Sequence, residues 1–141
     1  MTEVTRSGPI DAPADRRVLE AGVVAVGTAV GATARWGSGE LSDLDPTSGA
    51  FPWTTFLVNV VGCFLIGIVA EQLRGLARVG VATGVLGGFT TMSAFAVEAN
   101  QLAAAREPML AAVYIVGSVT FGAGAAWLGR RVARKGSGVA A

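Results

Sequence analysis

Gly87-Gly88-Phe89-Thr90-Thr91 sits in the middle of an apolar stretch long enough to cross a bilayer, with 79–86 upstream and 92–104 downstream. Gly costs about 1 kcal/mol per residue relative to Ala in a helix interior, and Thr is a poor helix former. Two of each in succession mark a place where a helix breaks. Inside a membrane a broken helix leaves main-chain N–H and C=O groups unpaired, at several kcal/mol each, unless protein, water or an ion satisfies them. A discontinuous helix near mid-depth is therefore a candidate ion or substrate site. The competing reading of the same five residues is a glycine-lined packing seam.

The rest of the chain supports a membrane setting. Of 141 residues 52% are hydrophobic and only 15% charged, against roughly 25% charged in an ordinary soluble domain. Mean hydropathy is +0.56. Four nearly charge-free stretches, at about 18–36, 51–70, 79–105 and 109–128, each approach or exceed the roughly 18–20 residues of a transmembrane helix. All five prolines (Pro9, Pro13, Pro46, Pro52 and Pro108) lie outside these spans or at their edges. The expected fold is an all-α integral membrane protein with four spans over 18–131 and a third helix broken at mid-membrane. Residues 1–17 read as a disordered N-terminal arm with no signal-peptide core, and 132–141 as a disordered tail. Cys63, the only cysteine, lies inside the second span as a small apolar residue at a helix contact.

Charge asymmetry sets an expected orientation. Arg6, Arg16, Arg17, Arg74, Arg78, Arg130, Arg131, Arg134 and Lys135 fall on the side of the termini and second loop, against Arg35 and Arg106 on the other. By the positive-inside bias both termini are predicted to be cytoplasmic, in a multi-pass protein of the cell membrane. Trp36 and Trp53 then mark the outer ends of spans one and two, and Trp127 the inner end of span four.

Polar residues inside the spans are the candidate functional groups. Span two carries Asn59, with Thr55 one turn earlier; a buried amide must find partners, either by bridging helices or by donating to something that passes. Span four carries Tyr114, Ser118 and Gly122 as one stripe, compatible with a polar track or with interhelical hydrogen bonds. Span three continues from its break with Met92, Phe95 and Glu98 at intervals of three. Phe95 offers a ring with a weakly positive edge. Glu98 is the only carboxylate well within a span, and such residues are functional candidates by default. Arg35, beside Trp36, is either an interfacial anchor or a group at a pore mouth.

Together, Gly31-Ala32-Thr33-Ala34-Arg35-Trp36, Thr55-Phe56-Leu57-Val58-Asn59-Val60-Val61-Gly62, Gly87-Gly88-Phe89-Thr90-Thr91-Met92-Ser93-Ala94-Phe95 and the Tyr114/Ser118 spacing resemble the CrcB/Fluc family of fluoride channels, over 18–131. The resemblance implies an antiparallel dimer of four-helix subunits that lets fluoride leave the cytoplasm passively. It also implies a structural Na⁺ at the dimer centre, held by the main-chain oxygens of Gly87 and Thr90. Such a hard-oxygen cage suits a hard cation. The pathway residues it implies are Asn59, Thr55, Phe95, Met92, Ser118 and Tyr114, with Arg35 and Glu98 at the vestibules.

Two departures from the family pattern stand out: Met92 replaces a customary Phe, and position 122 is Gly where a second hydroxyl is often found. With the strong charge bias, they leave open a homodimer or a heterodimer with a homologous subunit of opposite orientation. Alternatives from other classes are a small multidrug-type proton-coupled transporter and a non-conducting structural membrane protein. The transporter needs an acid deep in span one, where only Glu20 stands, at the entrance. With no His and no visible acid/base pair, an enzyme is not expected. Nor does any basic run with interleaved aromatics point to nucleic acid.

Overall fold

The computed structural model describes residues 14–40 and 50–136. Every regular element in them is helical: α1 Ala14–Glu40, α2 Trp53–Gln72, α3 Gly75–Arg78, a π-helical segment Val79–Leu86, α4 Gly87–Phe89, α5 Met92–Ala104 and α6 Pro108–Gly136. Four spans result, because α3, the π segment, α4 and α5 together form one apolar unit, Gly75–Ala104, interrupted at Thr90 and Thr91.

Helix ends follow local chemistry. Pro52 and Pro108 stand at the starts of α2 and α6, where the N–H that proline lacks would have no helical partner. Between α2 and α3 the chain turns through Gly75 at φ +55°. Between α5 and α6 it turns through Arg106 at φ 65°, and the Glu107 N–H reaches back 3.0 Å to the Leu102 carbonyl. That bond closes a Schellman-type cap, with arginine in the left-handed position usually held by glycine.

Two differences from the sequence reading concern the chain ends. Helix begins at Ala14 and continues to Gly136, so parts of the expected arm and tail are ordered turns of α1 and α6. At the far end of α6 the reason is visible: Arg130 Nε and Arg134 both donate to Glu71 Oε1 at the end of α2, at 2.9 and 3.1 Å. The remaining arm (1–13), tail (137–141) and most of the first loop (41–49) lie outside the described residues.

The spans pack as two groups. α2 runs along α6, with α5 also against α6; α1 runs along the π segment and α4. Glycine allows both close approaches. A Cβ on Gly67 would strike the Ala126 carbonyl, and one on Gly129 the Phe64 carbonyl. On the other side a Cβ on Gly31 would strike the Val85 carbonyl, and one on Gly88 the Thr28 carbonyl. Small residues of this kind are how membrane helices gain contact where burial from water gives no drive. Leu102, Ala111 and Tyr114 form the buried cluster at the α5–α6 end, under Phe51, Phe56 and Phe95. Trp36, Trp53 and Trp127 remain exposed at the span ends.

Candidate functional site

The break falls one step later than the glycines suggest. Gly87 is helical, at φ −65° and ψ −35°, and Gly87–Phe89 forms the short α4. The chain becomes extended at Thr90 (φ −76°, ψ 156°) and Thr91 (φ −144°, ψ 119°). Gly88 serves packing against α1 and the threonines make the break, so both readings of the motif hold on different residues.

The freed main chain is largely paired by side chains. Thr90 donates both its N–H and its hydroxyl to the Leu86 carbonyl, each at 2.9 Å. Asn59, from α2, donates its amide to the Thr91 carbonyl at 3.0 Å and accepts the Thr91 N–H at 2.8 Å. It pairs with Thr91 as a neighbouring strand would. The Thr91 hydroxyl accepts the Ala94 N–H at 3.1 Å and so caps α5. Arg35 Nε reaches across from α1 to the Gly88 carbonyl at 3.2 Å. It is thus fastened to the break itself, a role between the anchor and the pore-mouth group.

Among the carbonyls released at the break are those of Gly87 and Thr90. In an unbroken helix Gly87 would accept from Thr91 N–H and Thr90 from Ala94 N–H. Both donors are instead turned to side-chain oxygens, of Asn59 and Thr91. Gly87 is exposed on the subunit surface, and the nearest atom to a Cβ built on it is 3.9 Å away. Among the described residues no three His, Cys, Asp or Glu side chains gather.

Beside the break is a cavity of about 270 Å³ between α2, α5 and α6. Asn59, Phe95, Met92 and Ser118 line it, together with Cys63 and Gly122. Its wall is mostly apolar. Ser118 Oγ is the one buried side-chain oxygen or nitrogen among the described residues with no hydrogen-bond partner. Buried polar groups are almost always paired, so the unpaired Ser118 hydroxyl on a residue lining this cavity stands out. The Asn59 amide, having given one N–H to Thr91, keeps a second.

Thr55, Tyr114 and Glu98 form a separate cluster nearer the α5–α6 turn. The Thr55 and Tyr114 hydroxyls donate to Glu98 Oε1 and Oε2, each at 2.7 Å. Tyr114 is fully buried, and its ring meets Phe95 at a centroid distance of 5.2 Å. Phe95 therefore joins the two clusters. The stripe Tyr114/Ser118 is split in use: one hydroxyl is engaged by a carboxylate and the other is unengaged. Thr91, read in the sequence only as part of the break, is the hub of these bonds, and a threonine just before an apolar helical run is a helix-cap signal.

Residues 22–130 match the family described as CrcB-like protein, Camphor Resistance (CrcB). Curated relatives carry one recurring name. A protein of Rhodococcus jostii named "Fluoride-specific ion channel FluC 2" is 43% identical over 115 residues, covering 78% of this chain and 95% of the relative. One from Rhizobium etli named "Fluoride-specific ion channel FluC" is 39% identical over 123 residues, covering 83% and 98%. A Streptomyces avermitilis protein named "Fluoride-specific ion channel FluC 2" is 42% identical over 123 residues, covering 78% and 76%. With four spans, an interrupted third helix and this degree of identity along nearly the whole helical region, the chain belongs to the CrcB/Fluc family.

Proposed function

We propose that the protein is a passive, fluoride-specific channel that lowers cytoplasmic fluoride. The observation that carries the proposal is the unpaired Ser118 hydroxyl in a mostly apolar cavity shared with Asn59 and Phe95. Fluoride is small and strongly hydrated, so a path for it must offer donors that replace water. Ser118 Oγ, the second Asn59 N–H and the Phe95 ring edge supply them within one cavity. Thr55 and Tyr114 act one step further along, where Glu98 draws both hydroxyls toward itself. Met92 contributes an apolar wall, and Arg35 places a fixed positive charge beside the break.

The freed Gly87 and Thr90 carbonyls, with Gly87 open to the surface, support a structural Na⁺ held between two subunits in an antiparallel dimer. A bound cation there would give an anion path a positive centre in low-dielectric surroundings. The charge asymmetry favours fixed insertion with both termini cytoplasmic, which in an antiparallel dimer calls for a homologous partner of opposite orientation; a second copy would require the chain to insert both ways. Relatives numbered FluC 1 and FluC 2 are consistent with organisms that carry more than one such subunit.

Ser118→Ala tests the reading directly. The hydroxyl has no protein partner, so its removal leaves the fold intact. A hydrogen bond to a charged group is worth about 1.5–3 kcal/mol, so fluoride efflux from proteoliposomes should fall about tenfold or more. Unchanged efflux would remove Ser118 from the path.

A further inference from the structure

Arginine is concentrated where α6 leaves the membrane. Arg130, Arg131 and Arg134 stand with Ala123, Ala126 and Trp127 along a groove of about 650 Å³. Positions 123, 127, 130, 131 and 134 share one stripe of α6. The groove is graded along the helix axis, apolar toward mid-membrane and cationic at the end.

The three arginines are unequal. Arg130 and Arg134 both donate to a single oxygen of Glu71. Arg131 has no ion pair among the described residues; its guanidinium lies 5.1 Å from the centre of the Trp127 ring. Stacking on a tryptophan holds the cation at interfacial depth while leaving its N–H groups free to donate. One carboxylate thus pairs with two of the three guanidiniums, and the groove carries an excess of positive charge.

We infer that this groove binds the headgroup of an anionic glycerophospholipid. Arg131 and the remaining N–H groups of Arg130 take the phosphate, and an acyl chain lies over Ala123, Ala126 and Trp127. Guanidinium forks match phosphate oxygens in geometry and charge. Basic pockets at the membrane face of helical proteins are suited to such headgroups. A soluble anion would use the cations and leave the apolar half of the groove unfilled, whereas a phospholipid fills both. This inference needs only that the chain spans a membrane, so it stands or falls separately from fluoride conduction.

The test uses the full chain with Trp36 and Trp53 changed to Phe, so that Trp127 is the only fluorophore of its kind. The protein is reconstituted in phosphatidylcholine vesicles with a minor fraction of brominated phosphatidylglycerol or, in parallel, brominated phosphatidylcholine. Quenching of Trp127 reports which lipid occupies the groove. The expected result is a preference of about fivefold or more for the anionic lipid, in line with the attraction of one or two basic residues near a membrane surface. Arg131→Gln should remove most of that preference. Lys135→Gln makes the same charge change off the groove and should leave it nearly unchanged. Equal quenching by both lipids would overturn the inference. So would equal loss in the two variants, which would reveal only diffuse attraction. Relief of quenching by millimolar inorganic phosphate at constant ionic strength would show a soluble-anion site instead.

Discussion

Asn59 holds both main-chain groups of Thr91, and this decides what its removal should do. Asn59→Ala leaves the Thr91 N–H and carbonyl without partners at the depth of the membrane interior, at about 1–3 kcal/mol for each group. Fluoride efflux should vanish, and the thermal unfolding temperature in detergent should also fall. Asn59→Asp keeps the acceptor for Thr91 N–H but loses the donor and sets a negative charge beside an anion path. It should be better folded than the alanine variant and equally inactive. Normal efflux in Asn59→Ala would reduce Asn59 to a replaceable helix bridge.

At the scale of elements, the glycine pair separates packing from assembly. A Cβ on Gly88 would meet the Thr28 carbonyl of α1, whereas Gly87 has open space and an ordinary helical backbone. Gly88→Ala should therefore destabilise the subunit itself, and Gly87→Ala should not. The bulkier Gly87→Val should lose dimer with the subunit fold retained, as size-exclusion chromatography alongside circular dichroism would show. If Gly87→Val assembles normally, the exposed Gly87 surface is not the subunit contact. Much of this architecture was legible beforehand. Apolar runs bounded by proline gave four spans, because a bilayer demands length and apolarity of a helix and little else. The break lies within the quoted run but at its threonines, because Gly88 stays helical and lets α1 approach. The partners that make the break tolerable, Asn59 from α2 and Arg35 from α1, lie 32 and 53 residues away in sequence. No local pattern reports them. The same is true of the Thr55–Glu98–Tyr114 cluster, which requires α2, α5 and α6 to meet, and of the π segment that packs on α1.

At the scale of the whole molecule three features meet: a helix interrupted near mid-membrane, freed carbonyls at Gly87 and Thr90, and a cavity beside the break lined by Asn59, Phe95 and Ser118. If a Na⁺ shared by two subunits neutralises those carbonyls, prolonged exchange into a large organic cation should lower both thermal stability and efflux, and Na⁺ should restore both. Indifference to the exchange would leave the carbonyls to another partner. The claim on which the rest depends is selective fluoride conduction. It is tested most directly by electrode-monitored efflux from liposomes containing the assembled protein, loaded with fluoride or with chloride. Rapid fluoride release with chloride retained is the expected result; chloride release as fast as fluoride would contradict selective conduction.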